Sequence, residues 1–123
     1  MDDQAIIDRL NAHAPSYIPM LGGKIVAIDQ QDRACTFEFV VSTDYCHSVD
    51  VVQGGFVTTM LDIAMTHAVF GLLEDVTGVA SLEIKTSFLE PSRAGRLTAV
   101  GKLLKVGGST AFLTGELFNE AGL

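Results

Sequence analysis

The sequence predicts an α+β fold, with one long buried helix laid against one antiparallel sheet. Three observations carry that prediction. Residues 51–73 are apolar almost all the way round, with no proline and no glycine between Gly55 and Gly71. Segments on both sides of this stretch alternate apolar and polar residues or end in glycine turns. The resulting order, α-β-β-α-β-β-β over 123 residues, is that of a single domain with a sheet and its helices in layers.

In chain order, Ile6, Ile7 and Leu10 fall at helical spacing within Asp3–Ala12 and predict a short amphipathic helix. His13 to Pro19 reads as a loop with two prolines. Lys24–Asp29 and Arg33–Val41 are predicted strands joined by a turn at Gln30-Gln31-Asp32, the second placing Phe37, Phe39 and Val41 on one face. Ser42 to Asp50 is polar and irregular. Beyond the long helix, Glu74–Gly78 turns the chain, and Val79–Phe88 alternates as a strand. In that strand Ala80, Leu82, Ile84 and Phe88 share one face, and Ser81, Glu83, Lys85 and Ser87 the other. Arg96–Val106 and Thr110–Asn119 form a hairpin through Gly107-Gly108. Glu120-Ala-Gly-Leu123 resembles the turn of a further hairpin.

A helix apolar on every side must be buried, and this one would span about 30 Å. Its one polar stripe is centred on Asp62. At about 100° per residue, Gly55, Thr58, Thr59 and Thr66 lie within roughly 60° of it. A carboxylate in a buried helix is costly unless partnered or used. A transmembrane span would put Asp62 at mid-depth, where charges are expensive, and no Lys/Arg cluster flanks the stretch. A purely structural reading has Asp62 hydrogen-bonded to Thr58 or Thr66. The functional reading makes the helix start and the carboxylate parts of one site.

Composition narrows the classes. The net charge of −7 argues against a nucleic-acid partner. Charge is uneven, because Lys85, Arg93, Arg96, Lys102 and Lys105 face only Glu90 within residues 85–105, a local +4 that leaves −11 elsewhere. Such a cluster is either a solvated strand face or a seat for a phosphorylated ligand. Cys35 and Cys46 lack metal-ligand spacing and make no disulfide framework, so no metal is expected. Acidic residues and Arg9 interrupt the N-terminus, which does not read as a secretory leader. The expectation is a reduced, cytoplasmic protein with no membrane partner.

The central stretch then acquires a family. Gln53-Gly54-Gly55 followed by Leu61-Asp62-Ile63-Ala64 resembles the His-Gly-Gly…Leu-x-Asp-x-Ala signature of PaaI-type acyl-CoA thioesterases, with the nine-residue gap to the carboxylate kept. The segments Gly78–Pro91 and Arg93–Phe118 extend the likeness to about three quarters of the chain. The resemblance implies the hotdog fold, a long central helix wrapped by an antiparallel sheet. It also implies hydrolysis of an acyl-CoA thioester, with coenzyme A as part of the substrate and no separate cofactor. By position, Asp62 stands at the family's catalytic carboxylate, as base or nucleophile. Gly54 stands where a backbone N–H polarises the thioester carbonyl, with Gly55 beside it. Ser81 stands where a hydroxyl orients the nucleophilic water, and Thr66 where a supporting hydroxyl lies. The basic residues 85–105 would then hold the phosphates of coenzyme A.

Two departures stand out. Gln53 replaces the usual histidine, and its amide can orient a carbonyl or water but cannot shuttle a proton. His47, six residues earlier, is either the substitute for that function or a plain loop residue. Ser81 shares its face with Glu83 and Lys85, so it reaches a site only if that face is covered. Distance makes a separate demand. Gly54 and Asp62 are eight residues apart, about 12 Å along one helix, whereas a base must come within about 3 Å of its proton. One chain cannot serve one carbonyl with both, so a homodimer or homotetramer with composite sites is expected. A hotdog dehydratase or hydratase, and a non-catalytic acyl-CoA-binding protein, are the alternatives.

Overall fold

A computed structural model describes residues 2–122. Helix α1 (Asp3–Ala12) begins at Asp2, whose carboxylate accepts the Ala5 N–H at 2.7 Å, a side-chain N-cap. Where a proline-rich loop was expected, Tyr17–Met20 forms a short helix, α2. Strands β1 (Gly23–Asp29) and β2 (Ala34–Val41) follow, then a single 3₁₀ turn at Thr43–Tyr45. The central helix α3 runs Gly54–Leu72, and the long hairpin β3 (Gly95–Gly107) and β4 (Thr110–Phe118) closes the fold. Four strands form one antiparallel sheet in the order β1-β2-β3-β4. The turn at the end of the chain is present as well: Asn119 and Gly122 bridge backbone to backbone.

Helix α3 packs across the inner face of the sheet, where Phe37, Phe39, Leu97 and Ala99 are all but sealed from solvent. Phe37 and Phe39 stack at 5.6 Å, and each buried ring contributes on the order of 2–3 kcal/mol. Close approach is set by small residues. A Cβ on Gly101 would collide with the Ala64 carbonyl and lie 2.7 Å from the Met65 nitrogen, so β3 meets the helix backbone directly. Among the described residues α3 is the one helix long and apolar enough to cross a membrane, and it instead lies on the sheet with half its most apolar stretch buried. Cys35 is fully buried under it, and burial pushes its thiol up to about 12, which leaves it chemically quiet.

The expected strand at Val79–Phe88 does not form. No residue between Leu73 and Pro91 pairs in the sheet. The segment runs along α3, touching it through Ser81 from one face of the alternation and through Thr86 and Phe88 from the other, so neither face is buried as a core strand's would be. Thr86 bonds Thr58 on the helix at 3.0 Å, while Leu82, Phe88 and Leu89 are 85%, 58% and 71% exposed.

Candidate active site

Asp62 is half-buried rather than sealed, because the polar stripe of α3 faces a cleft of ≈ 820 Å³. One wall is α3 itself, with Asp62, Thr66 and His67. The opposite walls are the end of α1 with its loop, through Leu10, His13 and Tyr17, and the extended segment, through Val79 and Ser81. Asn11 fixes the first of these walls. Its amide donates to the Ile25 carbonyl and accepts the Ile25 N–H, tying α1 to the free edge of β1.

Ser81 Oγ donates a 2.7 Å hydrogen bond to Asp62 Oδ1. Ser81 does reach the carboxylate, although Glu83, Lys85 and Ser87 on the same face of the segment stay exposed. Neither threonine expected to satisfy Asp62 does so. Thr58 bonds Thr86, and Thr66 donates to the Ile63 carbonyl at 3.1 Å, although Thr66 still lines the cleft. Helix geometry explains Thr66, since a threonine within a helix reaches back readily to its own preceding turn, whereas Thr58 is taken by the hydroxyl of Thr86 on the neighbouring segment.

The helix start lies elsewhere. Gln53 is the N-cap residue of α3 but makes no side-chain cap, and its side chain is exposed. Phe56 N–H and Val57 N–H both return to the Gln53 carbonyl, at 2.9 and 3.2 Å. Among the described residues the Gly54 and Gly55 N–H groups have no acceptor, so two donors stand at the positive end of a 19-residue helix. A Cβ on Gly54 would press on the Phe88 ring at 3.3 Å, and nothing lies within 4 Å of one on Gly55. Neither glycine lines the Asp62 cleft, nor does Gln53. His47 is exposed and its Nδ1 meets only Ser48 Oγ, at 3.0 Å. Within one chain the structure thus gathers Asp62, Ser81 and Thr66, and leaves Gln53, Gly54, Gly55 and His47 outside their cleft.

The five basic residues do not gather either. Arg93 pairs with Asp50 at 2.7 Å, and Arg96 with Glu38 at 2.8 Å and Glu120 at 3.7 Å. Lys102 and Lys105 lie further along β3, so Arg96 and Lys105 are nine residues, about 30 Å, apart. Lys85 sits alone of the five in a second groove, between the extended segment and β4. The count of +4 was a property of the sequence window, and acidic partners 43 and 58 residues away offset two of the charges.

His67 went unnoticed in the sequence because it lies about 140° round the helix from Asp62, among apolar residues. It is 7% exposed, its Nδ1 is 2.9 Å from the Ile63 carbonyl, and Phe37 and Phe70 meet its ring edge-on at 5.1 and 5.7 Å. Burial lowers its pKa, against a smaller opposing effect of the Ile63 hydrogen bond. The readable signal was the contradiction itself, a histidine on the apolar face of a core helix.

The fold has counterparts among known proteins. A phenylacetic acid degradation-related protein from Ralstonia eutropha JMP134 superposes with a TM-score of 0.84 and 29% identity, over 94% of this chain and 89% of that one. A thioesterase from Haemophilus influenzae superposes at 0.83 and 22% identity, over 95% and 81%, and the PaaI protein of E. coli at 0.79 and 21%, over 99% and 88%. These last two share the fold. An uncharacterized protein of Schizosaccharomyces pombe is 31% identical over 77% of this chain and 54% of its own length. A ribosomal RNA small subunit methyltransferase H of Nitratiruptor is 41% identical over 50% of this chain and 20% of its own. The chain thus spans about half the length of the first of these curated relatives and a fifth of the second. The helix and sheet are those of the hotdog thioesterases, and residues 50–123 match the family model of the thioesterase superfamily, to which this chain belongs.

Proposed function

We propose that the protein hydrolyses an acyl-CoA thioester to the free acid and coenzyme A. The observation that carries the reading is the 2.7 Å bond from Ser81 to a half-buried Asp62 inside an ≈ 820 Å³ cleft. A carboxylate there has one oxygen held by the hydroxyl and the other left to work. Asp62 takes a proton from water as the water oxygen adds to the thioester carbon, or attacks that carbon itself to give a mixed anhydride that water then cleaves to the free acid and the regenerated carboxylate. Charge then develops on the carbonyl oxygen, which needs preorganised donors, and the C–S bond breaks as the thiolate takes up a proton. Gly54 and Gly55 N–H groups are donors of that kind, and the exposed Gln53 amide stands beside them.

Those donors and Asp62 are about 12 Å apart on one helix, so the reaction requires two copies of the chain. Two features support a second copy on this side of the molecule. The extended segment exposes Leu82, Ile84, Phe88 and Leu89, a strip that water disfavours, and its backbone is unpaired. Phe88 also rests against Gly54, so a subunit covering the strip also reaches the helix start. In such a dimer Lys85 is the basic residue best placed for the phosphates of coenzyme A, being near that helix start and free of an acidic partner among the described residues.

The test is thiol release from a panel of acyl-CoA thioesters by the wild type and by Asp62→Asn. Turnover that depends on Asp62 is the expected result. Undiminished turnover in Asp62→Asn would remove the mechanism.

A further inference from the structure

His67 stands on the cleft wall without a task in the hydrolysis just described. Its Nδ1 lies 2.9 Å from the Ile63 carbonyl oxygen, and a carbonyl can only accept, so Nδ1 carries the proton. Because burial disfavours the charged ring, the neutral tautomer results and Nε2 is a bare lone pair. Phe37 and Phe70 fix the ring plane from two sides. Among the described residues no sealed side-chain nitrogen or oxygen lacks a hydrogen-bond partner, and Nε2 has no partner. Nε2 is therefore not sealed. With His67 lining the cleft, the cleft is where it opens.

We propose that His67 selects the acyl group, its Nε2 accepting a hydrogen bond from a hydroxyl carried on the acyl chain several bonds from the thioester carbonyl. The proposal rests on the thioesterase reading, which places that carbonyl at Asp62. His67 is five residues further along α3, about 7.5 Å of rise, so a hydroxyl next to the carbonyl cannot reach it. Ile63, Phe70, Leu10 and Val79 line the same cleft alongside the uncharged Thr66 and Thr77, which offers apolar surface to a hydrocarbon chain and no cation to a charged one. A plain alkyl chain in the same place would strip water from Nε2 and give nothing back. That asymmetry is worth roughly ten- to a hundredfold in specificity for a buried acceptor.

The experiment compares ω-hydroxyhexanoyl-CoA with hexanoyl-CoA, by kcat/KM, in the wild type, His67→Phe and His67→Gln. Matched non-hydrolysable thioether analogues, with and without the hydroxyl, are compared by dissociation constant. Phe keeps a planar ring between Phe37 and Phe70 but has no acceptor, whereas the Gln amide oxygen restores one. The wild type should favour the hydroxylated member at least about tenfold on both scales. His67→Phe should bring the ratio near one, and His67→Gln should recover part of it. Equal treatment of the pair by the wild type, or a preference that survives in His67→Phe, overturns the proposal. Should no thioester be cleaved, the hydrolase reading fails while the thioether pair still decides the role of His67. If His67→Phe does not fold, nitrogen-15 resonances of the wild-type histidines decide instead. The Nε2 signal of His67 should move with the hydroxylated analogue only, and an unmoved signal refutes the contact.

Discussion

The Ser81 hydroxyl and the Asp62 carboxylate meet at 2.7 Å across nineteen residues of sequence, joining the extended segment to the central helix. The bond is directional. Because a carboxylate only accepts, Ser81 spends its one proton on Oδ1 and holds Asp62 in a single orientation. Ser81→Ala should therefore leave the carboxylate present but free to rotate. The expected loss in kcat is about tenfold, smaller than that from removing the carboxylate, with KM little changed. Steady-state kinetics on one acyl-CoA checks both parameters.

Asp62→Asn removes the carboxylate proposed as base or nucleophile while keeping an oxygen that accepts from Ser81. Hydrolysis should fall by about 10²–10⁴-fold, the range for losing a general base. Because the carboxylate is only half-buried and the Ser81 bond survives, the urea midpoint should move little. A variant that unfolds readily but turns over normally would instead mark Asp62 as structural.

Packing makes a sharp contrast between two glycines. A Cβ at Gly101 collides with the Ala64 carbonyl, and backbone cannot swing aside as a side chain can. Gly101→Ala should cost about 3 kcal/mol or more by overpacking the contact of β3 with α3. At Gly55 the same methyl meets nothing within 4 Å, and its φ is not left-handed. Gly55→Ala should change stability by less than about 1 kcal/mol. Equilibrium denaturation of the two variants measures the difference directly.

How far the sequence could be read depended on whether each signal was local. The α3 span was legible because Gly54-Gly55 and the apolar run mark it within its own window, and the β3–β4 hairpin because Gly107-Gly108 does. Phe37, Phe39 and Val41 alternate into the core as their spacing predicts. The alternation in Val79–Phe88 is just as regular, yet a strand also needs a neighbour to pair with, and a period-two pattern cannot supply one. The same limit hid the charge pairs, since Arg96 finds Glu38 only after β2 and β3 align Val40 with Arg96 and Glu38 with Thr98. Asp62 and Ser81 were each readable by resemblance. Their contact was not, because it depends on which face of the segment turns toward α3.

His67 gives stability a pH dependence of definite sign. Its folded pKa lies below the ordinary 6.5, so the unfolded chain binds the proton more readily. Stability should be complete above that value and decline as pH falls from 6.5 toward the folded pKa, levelling off below it. His13 and Asp62 share the cleft, so the comparison is with His67→Phe, which keeps both. Thermal or urea midpoints of the two proteins from pH 8 to pH 5 should diverge below about pH 6.5, with the wild type losing more. Parallel curves would show that His67 does not resist protonation in the fold.

The composite site can be tested by mixing two damaged subunits. Asp62→Asn lacks the carboxylate but keeps the glycine donors. Gly54→Val keeps Asp62 but puts a branched side chain at the helix start, against the Phe88 ring. Each homodimer should be inactive, the second because bulk blocks the approach of a carbonyl to the N–H groups. In a heterodimer, Asp62 of the Gly54→Val subunit faces Gly54 of the Asp62→Asn subunit, so one of its two sites is intact. Random reassortment makes half the dimers mixed, and activity should return to about a quarter of the wild-type value. Mixing followed by partial denaturation and refolding, with thiol release as the readout, measures this. Catalysis confined to one chain would give no recovery at any mixing ratio, because every subunit in the mixture carries one broken half. Recovery near a quarter would therefore require that the donors and the carboxylate, 12 Å apart on one helix by about 1.5 Å per residue, meet across two.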